Sequence, residues 1–209
     1  YMYLELFEKC LHGNYIHTKE DGDYCIQICN RTCYLMFQWS VGKEDWKNNF
    51  DFPAKAYKNG NDTWYVHRGF LKVWKAMRDD IEEIIRGNIE NNEIDNIVCI
   101  GYSHGAAICT FAVEDMEYLF GNKVHVSGFA YACPRVIWGK IPTAVRQRLA
   151  NLTKIKNRGD IVTHVPPMLF GFRNVGNEIL IGKCGKYKPV QAHLENSYRT
   201  ELKIREKGE

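Results

Sequence analysis

Residues 101–105 read Gly-Tyr-Ser-His-Gly, between the apolar run 97–100 and the small residues Ala106 and Ala107. Where a buried strand turns sharply into a helix, the central residue is forced into a strained conformation. Flanking glycines remove the Cβ atoms that would strike the neighbouring elements. The pattern therefore predicts that Ser103 stands exposed at the carboxyl edge of a sheet as a nucleophile. The amide N–H of the next residue, His104, would sit at a helix N-terminus, where a developing oxyanion is favoured. The chain has four serines, Ser40, Ser103, Ser127 and Ser197, so a chance match to this pattern is on the order of a few per cent given average usage.

A serine hydroxyl needs a histidine to accept its proton and a carboxylate to hold that histidine. In open α/β sheets such groups cluster outside the carboxyl ends of the strands. Asp160 follows the strand-like run Leu-Thr-Lys-Ile-Lys-Asn, at that edge. Asp115, the other aspartate after Ser103, falls three turns along the helix that follows the serine and is too far away. Among the later histidines, the His104 side chain should diverge from its neighbour, and His125 opens a strand at the wrong edge. His193, in a loop just before the last helix, is the expected base, with His164 beside Asp160 as the alternative. The order Ser103, Asp160, His193 is that of an α/β-hydrolase triad.

The chain has 209 residues, 45% hydrophobic and 25% charged, which suits a single domain over 1–209 with an ordinary core. A net charge of +3, with basic and acidic residues interspersed, argues against nucleic acid as a partner. No apolar run approaches the roughly 20 residues that span a bilayer. The first residues are acidic where a secretory signal would be basic, so a cytoplasmic location is expected, with secretion after signal removal left open. Eight cysteines lie at 10, 25, 29, 33, 99, 109, 133 and 184 with no C-x-x-C pair. They read as core thiols of a reducing compartment, and neither metal nor cofactor is expected.

The elements that must position these groups alternate along the chain. A short helix opens it, and residues 23–39 form a strand pair around an Asn-Arg-Thr turn. Residues 40–60 are expected to be a polar surface loop. Phe70, Val73, Trp74, Met77, Ile81, Ile84 and Ile85 are spaced as one face of a long amphipathic helix. Strand 96–100, the helix after Ser103, a strand near 124–132, a helix beginning at Pro142 and the strand 152–157 follow. Residues 178–190 are expected to be a hairpin, and a last helix closes the chain. The fold class expected is α/β, a mostly parallel central sheet with helices on both faces.

From about residue 33 to 200 the chain resembles the class 3, or fungal-type triacylglycerol, lipases. YLMFQWS is similar to a strand ending in F-R-G-[ST], VHRGF to V-H-x-G-F, and GYSHGAA to G-H-S-L-G-G-A. AYACPRV is similar to F-G-x-P-R-V and GDIVTHVPP to D-x-V-x-x-x-P-P, while His193 with Tyr198 matches H-x4-Y. The resemblance implies the α/β-hydrolase fold and cleavage of carboxylic esters of lipids through an acyl-enzyme. It places the Ser40 backbone N–H as a second oxyanion donor beside that of His104. Trp39 stands where the family has glycine and His104 where it has leucine, which bears on the acyl pocket. Residues 40–50 match the lid, with Trp46 retained but Lys43 and Lys47 on what would be its apolar face. The expected partner is therefore a lipid or small ester, with transient contact at a lipid interface and weak interfacial activation. A thioesterase or acyltransferase, or a non-catalytic lipid-binding module on the same fold, is the alternative. The buried His67 at the start of the long helix is expected to be structural.

Overall fold

β2 (Gly22–Cys29) carries Tyr24, Cys25 and Ile26 in succession, and β3 (Thr32–Trp39) is apolar from Cys33 to Phe37, as suits a strand covered on both faces. Between them Asn30 and Arg31 both take positive φ, 48° and 59°, the backbone pair that matches the twist of a tight hairpin. The computed structural model describes residues 2–20, 22–39 and 53–208. β1 (Ile16–His17) extends the hairpin on its outer side. Beyond β3 lie β6 (Asn96–Tyr102), β7 (His125–Tyr131), β9 (Leu152–Asn157) and β11 (Asn177–Ile181). The sheet order is β1-β2-β3-β6-β7-β9-β11, and every pair from β3 onward is parallel.

Parallel neighbours need crossovers, and a parallel sheet must be covered on both faces. The crossovers are α2 (Arg68–Glu90), α3 (His104–Phe120) and α4 (Thr143–Arg148). On their side Leu35, Phe37, Ile97 and Cys99 pack with Trp74, Met77 and Ile81. The opposite face, with Met36, Ile100 and Ile155, packs on Phe7 of α1 (Met2–Leu11) and on Tyr198 and Leu202 of α6 (Glu195–Gly208). Those two helices are also tied to each other: Arg199 pairs with Glu8, and the Leu4 N–H donates to Glu206 at 3.0 Å. Of the face expected on α2, Ile84 is 40% exposed, and Leu71 is buried in addition to the rest. No helix among the described residues is long and apolar enough to cross a membrane.

Two expectations for the elements are corrected. The described part of the expected loop forms β4 (Ala54–Asn59), antiparallel to β5 (Asp62–His67) across a turn with Gly60 at φ 56°. With β8 (Ile137–Trp138) and β10 (Phe172–Arg173) they make a second sheet, β10-β8-β5-β4. Tyr57, Asn59, Trp64 and Val66 face inward at every second position, and the lysines between them gave the segment its polar character. The expected hairpin at 178–190 is instead one strand, β11, parallel to β9. Gly182 and Gly185, at φ 73° and 75°, turn the chain away from the sheet, and it re-forms as α5 (Pro189–His193).

The second sheet is latched to α3 through buried acids. Asp115 is fully buried; it accepts from Trp74 Nε1 at 2.6 Å, from Tyr57 and from Asn59, and pairs with Arg78 at 3.1 Å. Glu114 accepts from Asn59 Nδ2 at 2.6 Å and from Arg148, which also reaches Asp62 at 3.2 Å. Burial, and then the neighbouring Asp115, push the Glu114 carboxyl up to about 7. A carboxyl raised on folding contributes stability that is complete below its unfolded value of about 4.3 and is lost as pH rises through about 7. The melting temperature is expected to fall between pH 5 and 8, and to fall less in Glu114→Gln. Thermal unfolding of both proteins across that range is the measurement.

Candidate active site

Ser103 lies between the end of β6 and the start of α3, with φ 56° and ψ −122°. For a residue with a Cβ this costs roughly 1–3 kcal/mol, so its neighbours must enforce it. A Cβ on Gly101 would strike the Gly105 carbonyl and lie 2.7 Å from the Ala106 nitrogen, and one on Gly105 would strike the Phe37 carbonyl at the end of β3. Strand, turn and helix therefore approach to backbone contact. The Ser103 N–H is anchored to the Tyr131 carbonyl at 2.9 Å.

Asp160 follows β9 through Gly159, which turns at φ 88°. Its carboxylate is fully buried and surrounded by donors. Oδ1 accepts from the Val162 N–H at 2.9 Å and Oδ2 from the Tyr198 hydroxyl at 2.7 Å. Tyr198 in turn accepts from the Asn157 N–H at 3.0 Å. Burial first, and then Asp160, raise the Tyr198 hydroxyl far above its usual range, so it stays a donor. Both Asp160 oxygens lie 3.1 Å from His193 Nδ1, and His193 Nε2 lies 2.9 Å from Ser103 Oγ. With Nδ1 protonated and donating to Asp160, Nε2 is an acceptor for the serine proton.

His193 closes α5 rather than lying in a loop, a correction of the expected local structure. Pro189 pre-sets the first turn of that helix, and Asn157 Nδ2 donates to the Ala192 carbonyl at 2.8 Å. Tyr102 completes the support. Its ring stacks on the His193 imidazole, with centroids 5.4 Å apart and planes 14° apart, and its hydroxyl donates to the His193 carbonyl. Sequence reasoning missed Tyr102. The signal available was the two-residue period of β6, which sends Tyr102 to the same face as Ile100.

The other histidine side chains do not join this line of hydrogen bonds. His164 is exposed, with Nδ1 2.9 Å from the Asp160 backbone carbonyl. His67 caps α2, accepting from the Phe70 N–H at 3.4 Å and stacking on that ring at 4.1 Å. His104 opens α3, and its side chain lies beside Phe70. Burial first, and then His193 and His67, hold its imidazole down to about 4, so it is neutral at physiological pH. Trp39 ends β3. Ser40, Lys43, Trp46 and Lys47 lie outside the described residues. Among the described residues no three His, Cys, Asp or Glu side chains are grouped as metal ligands.

A family model described as lipase (class 3) matches residues 34–170. This chain belongs to the class 3 lipases. The match includes Ser103 and Asp160 and stops short of His193, which is located by the distances above. A secreted mono- and diacylglycerol lipase A of Penicillium cyclopium is 26% identical over 168 residues, covering 78% of this chain and 52% of its own. A phospholipase A1-II 7 of Oryza sativa subsp. indica is 29% identical over 171 residues, covering 66% and 42%. The chain spans about half the length of the curated relatives it matches. The solved lipase II from Rhizopus niveus superposes with a TM-score of 0.71 at 22% identity, over 80% of this chain and 64% of that one. The fold of this class 3 lipase chain is thus the α/β-hydrolase fold.

The Tyr102 contacts carry their own test. Tyr102→Phe keeps the stacked ring and removes the bond to the His193 carbonyl. The rate of fluorophosphonate labelling at Ser103 is expected to fall about tenfold, and Tyr102→Ala should lower it further. Labelling kinetics compared with thermal stability separate loss of positioning from loss of fold.

Proposed function

We propose that this chain hydrolyses carboxylic esters of lipids, with Ser103 as nucleophile, His193 as general base and acid, and Asp160 as the carboxylate that orients His193. The observation that carries the reading is the continuous line of hydrogen bonds from Ser103 Oγ through His193 to the buried Asp160. In the first half-reaction Oγ attacks the ester carbonyl carbon as its proton passes to His193 Nε2. The tetrahedral intermediate collapses when the carbon–oxygen bond breaks and Nε2 returns the proton to the departing alcohol. Water then attacks the acyl-enzyme by the same route, releasing the acid and restoring the Ser103 hydroxyl.

Asp160 offsets the charge of the transient imidazolium and keeps Nδ1 pointed at itself. His104 follows the nucleophile at the start of α3, where a main-chain N–H donates to the oxyanion. The Ser40 N–H is the proposed second donor. Losing one such donor typically costs a hundredfold or more. The relatives' names, a mono- and diacylglycerol lipase and a phospholipase A1, support glycerolipid esters as the substrate class. All eight cysteines are free thiols, six of them buried, which supports a reducing, cytoplasmic setting for this chain.

A fluorophosphonate probe is expected to label Ser103, with labelling and p-nitrophenyl ester turnover both abolished in Ser103→Ala. Asp160→Asn and His193→Ala should each lower kcat about ten-thousandfold with the fold intact, whereas His164→Ala should cost less than about tenfold. Labelling that persists in Ser103→Ala, or an inactive His164→Ala beside an active His193→Ala, would overturn the assignment.

A further inference from the structure

After Asp160 the chain runs through a 3-10 turn, Val162–His164, and the pair Pro166-Pro167 into a second such turn, Met168–Phe170. Leu169 at the tip is 91% exposed, Phe170 58% and Met168 53%. Consecutive large apolar side chains in water are unusual, and local backbone bonding holds these outward. The Phe170 N–H donates to Pro167 at 3.1 Å and the Gly171 N–H to Met168 at 2.9 Å. Trp138 Nε1 donates to the Phe170 carbonyl at 2.8 Å, the Gly139 N–H to that of Gly171 at 2.9 Å, and Arg173 to that of Met168 at 3.1 Å. A Cβ on Gly171, at φ 90°, would meet the Trp138 indole. The apolar tip is thus built rigidly outward.

Its surroundings identify what it meets. Trp138 and Tyr65 pack edge to face at 5.8 Å beside the turn, and both are exposed. Amphipathic rings of this kind favour the headgroup level of a lipid layer. Lys140 and Arg173 flank them and are exposed. Between Glu117 and Glu178 the only acidic residue is Asp160, which is buried at the site, so the segment that carries the tip has no exposed carboxylate of its own. Ile161, Val190 and Leu194 are also exposed and lie next to Asp160 and His193.

We propose that the Met168–Phe170 turn is a lipid-surface anchor: its apolar side chains enter the acyl boundary of an anionic lipid layer, Trp138 and Tyr65 sit at the headgroups, and Lys140 and Arg173 meet the phosphates. The inference rests on the reading of Ser103 as a lipid-ester nucleophile. It deepens that reading by giving the site a docking face independent of residues 40–52.

The test is co-sedimentation of the full chain carrying Ser103→Ala, so that lipid is not consumed, with two vesicle types. One is phosphatidylcholine alone and the other phosphatidylcholine mixed with phosphatidylglycerol. Binding is expected to favour the mixed vesicles. Adding Leu169→Asp should weaken it at least about tenfold, and Lys140→Gln about fivefold and on mixed vesicles only. In the protein with Ser103 intact, Leu169→Asp should leave turnover of a soluble short-chain ester unchanged, because that side chain touches little of the fold. The anchor is overturned if neither vesicle binds, if Leu169→Asp binds as well as its parent, or if Leu169→Asp slows the soluble ester, which would place the tip in the ester site. A dimer in sedimentation velocity that Leu169→Asp dissolves would also overturn it, by showing a second copy as the occupant. Failure of Ser103→Ala to abolish turnover removes the hydrolase reading alone, since vesicle binding is read without catalysis.

Discussion

Ser103 is held at a backbone angle that a side-chain-bearing residue adopts only under compulsion. The compulsion is the backbone-to-backbone approach of β3, the turn and α3, which the two glycines permit. That approach places the serine hydroxyl outside the sheet edge, starts α3 directly behind it, and brings the end of β3 against the same turn. The strain is sustained by the burial of both sheet faces. Phe37 and Trp74 pack on one side and Ile100 and Tyr198 on the other, so relaxing the turn would mean repacking two layers. Preorganisation of this kind fixes the proposed nucleophile before any substrate arrives.

Behind the serine, positioning is done by aromatic side chains that each combine a packed ring with one directed hydrogen bond. Tyr198 fills the core between sheet and α6 and spends its hydroxyl on Asp160; Tyr102 packs on His193 and spends its hydroxyl on that residue's backbone. A buried carboxylate is tolerated because every side of it meets a donor. The acid pair Glu114 and Asp115 shows the same economy in a structural role. There the donors are Asn59, Tyr57, Trp74 and two arginines, and the result joins the second sheet to α3.

The site was largely legible in the sequence, because its members announce themselves locally. A serine between glycines after an apolar run, and an aspartate after a glycine at a strand end, are features a reader can place without tertiary information. His193 is preferred once His104 and His125 are set aside, with His164 kept as the alternative, because it sits just before the last helix. What stayed hidden depends on contacts remote in sequence. The Tyr102 bond to His193 spans 91 residues, and nothing beside Tyr102 points to it. The hairpin at 54–67 was masked by lysines on its outer face. The parallel placement of β11 was masked because a strand followed by glycines reads equally well as the first arm of a hairpin. Turn chemistry and charge are local; pairing partners are not.

The order of the chain gives the Tyr198 bond a further consequence. The turn around Ser103 can form once β3, β6 and α3 have emerged during synthesis. Asp160 has a complete set of donors only when α6 is docked, and α6 docks against α1, from the opposite end of the described chain. Ser103, the proposed nucleophile, therefore precedes in order of synthesis the α6 residue that completes the donor set of Asp160. The hydrogen-bonded line waits on a segment that follows, in the chain, the residues it supports. Under the proposed reading, competence arrives with folding rather than ahead of it, because a chain lacking α6 leaves Asp160 without its Tyr198 donor.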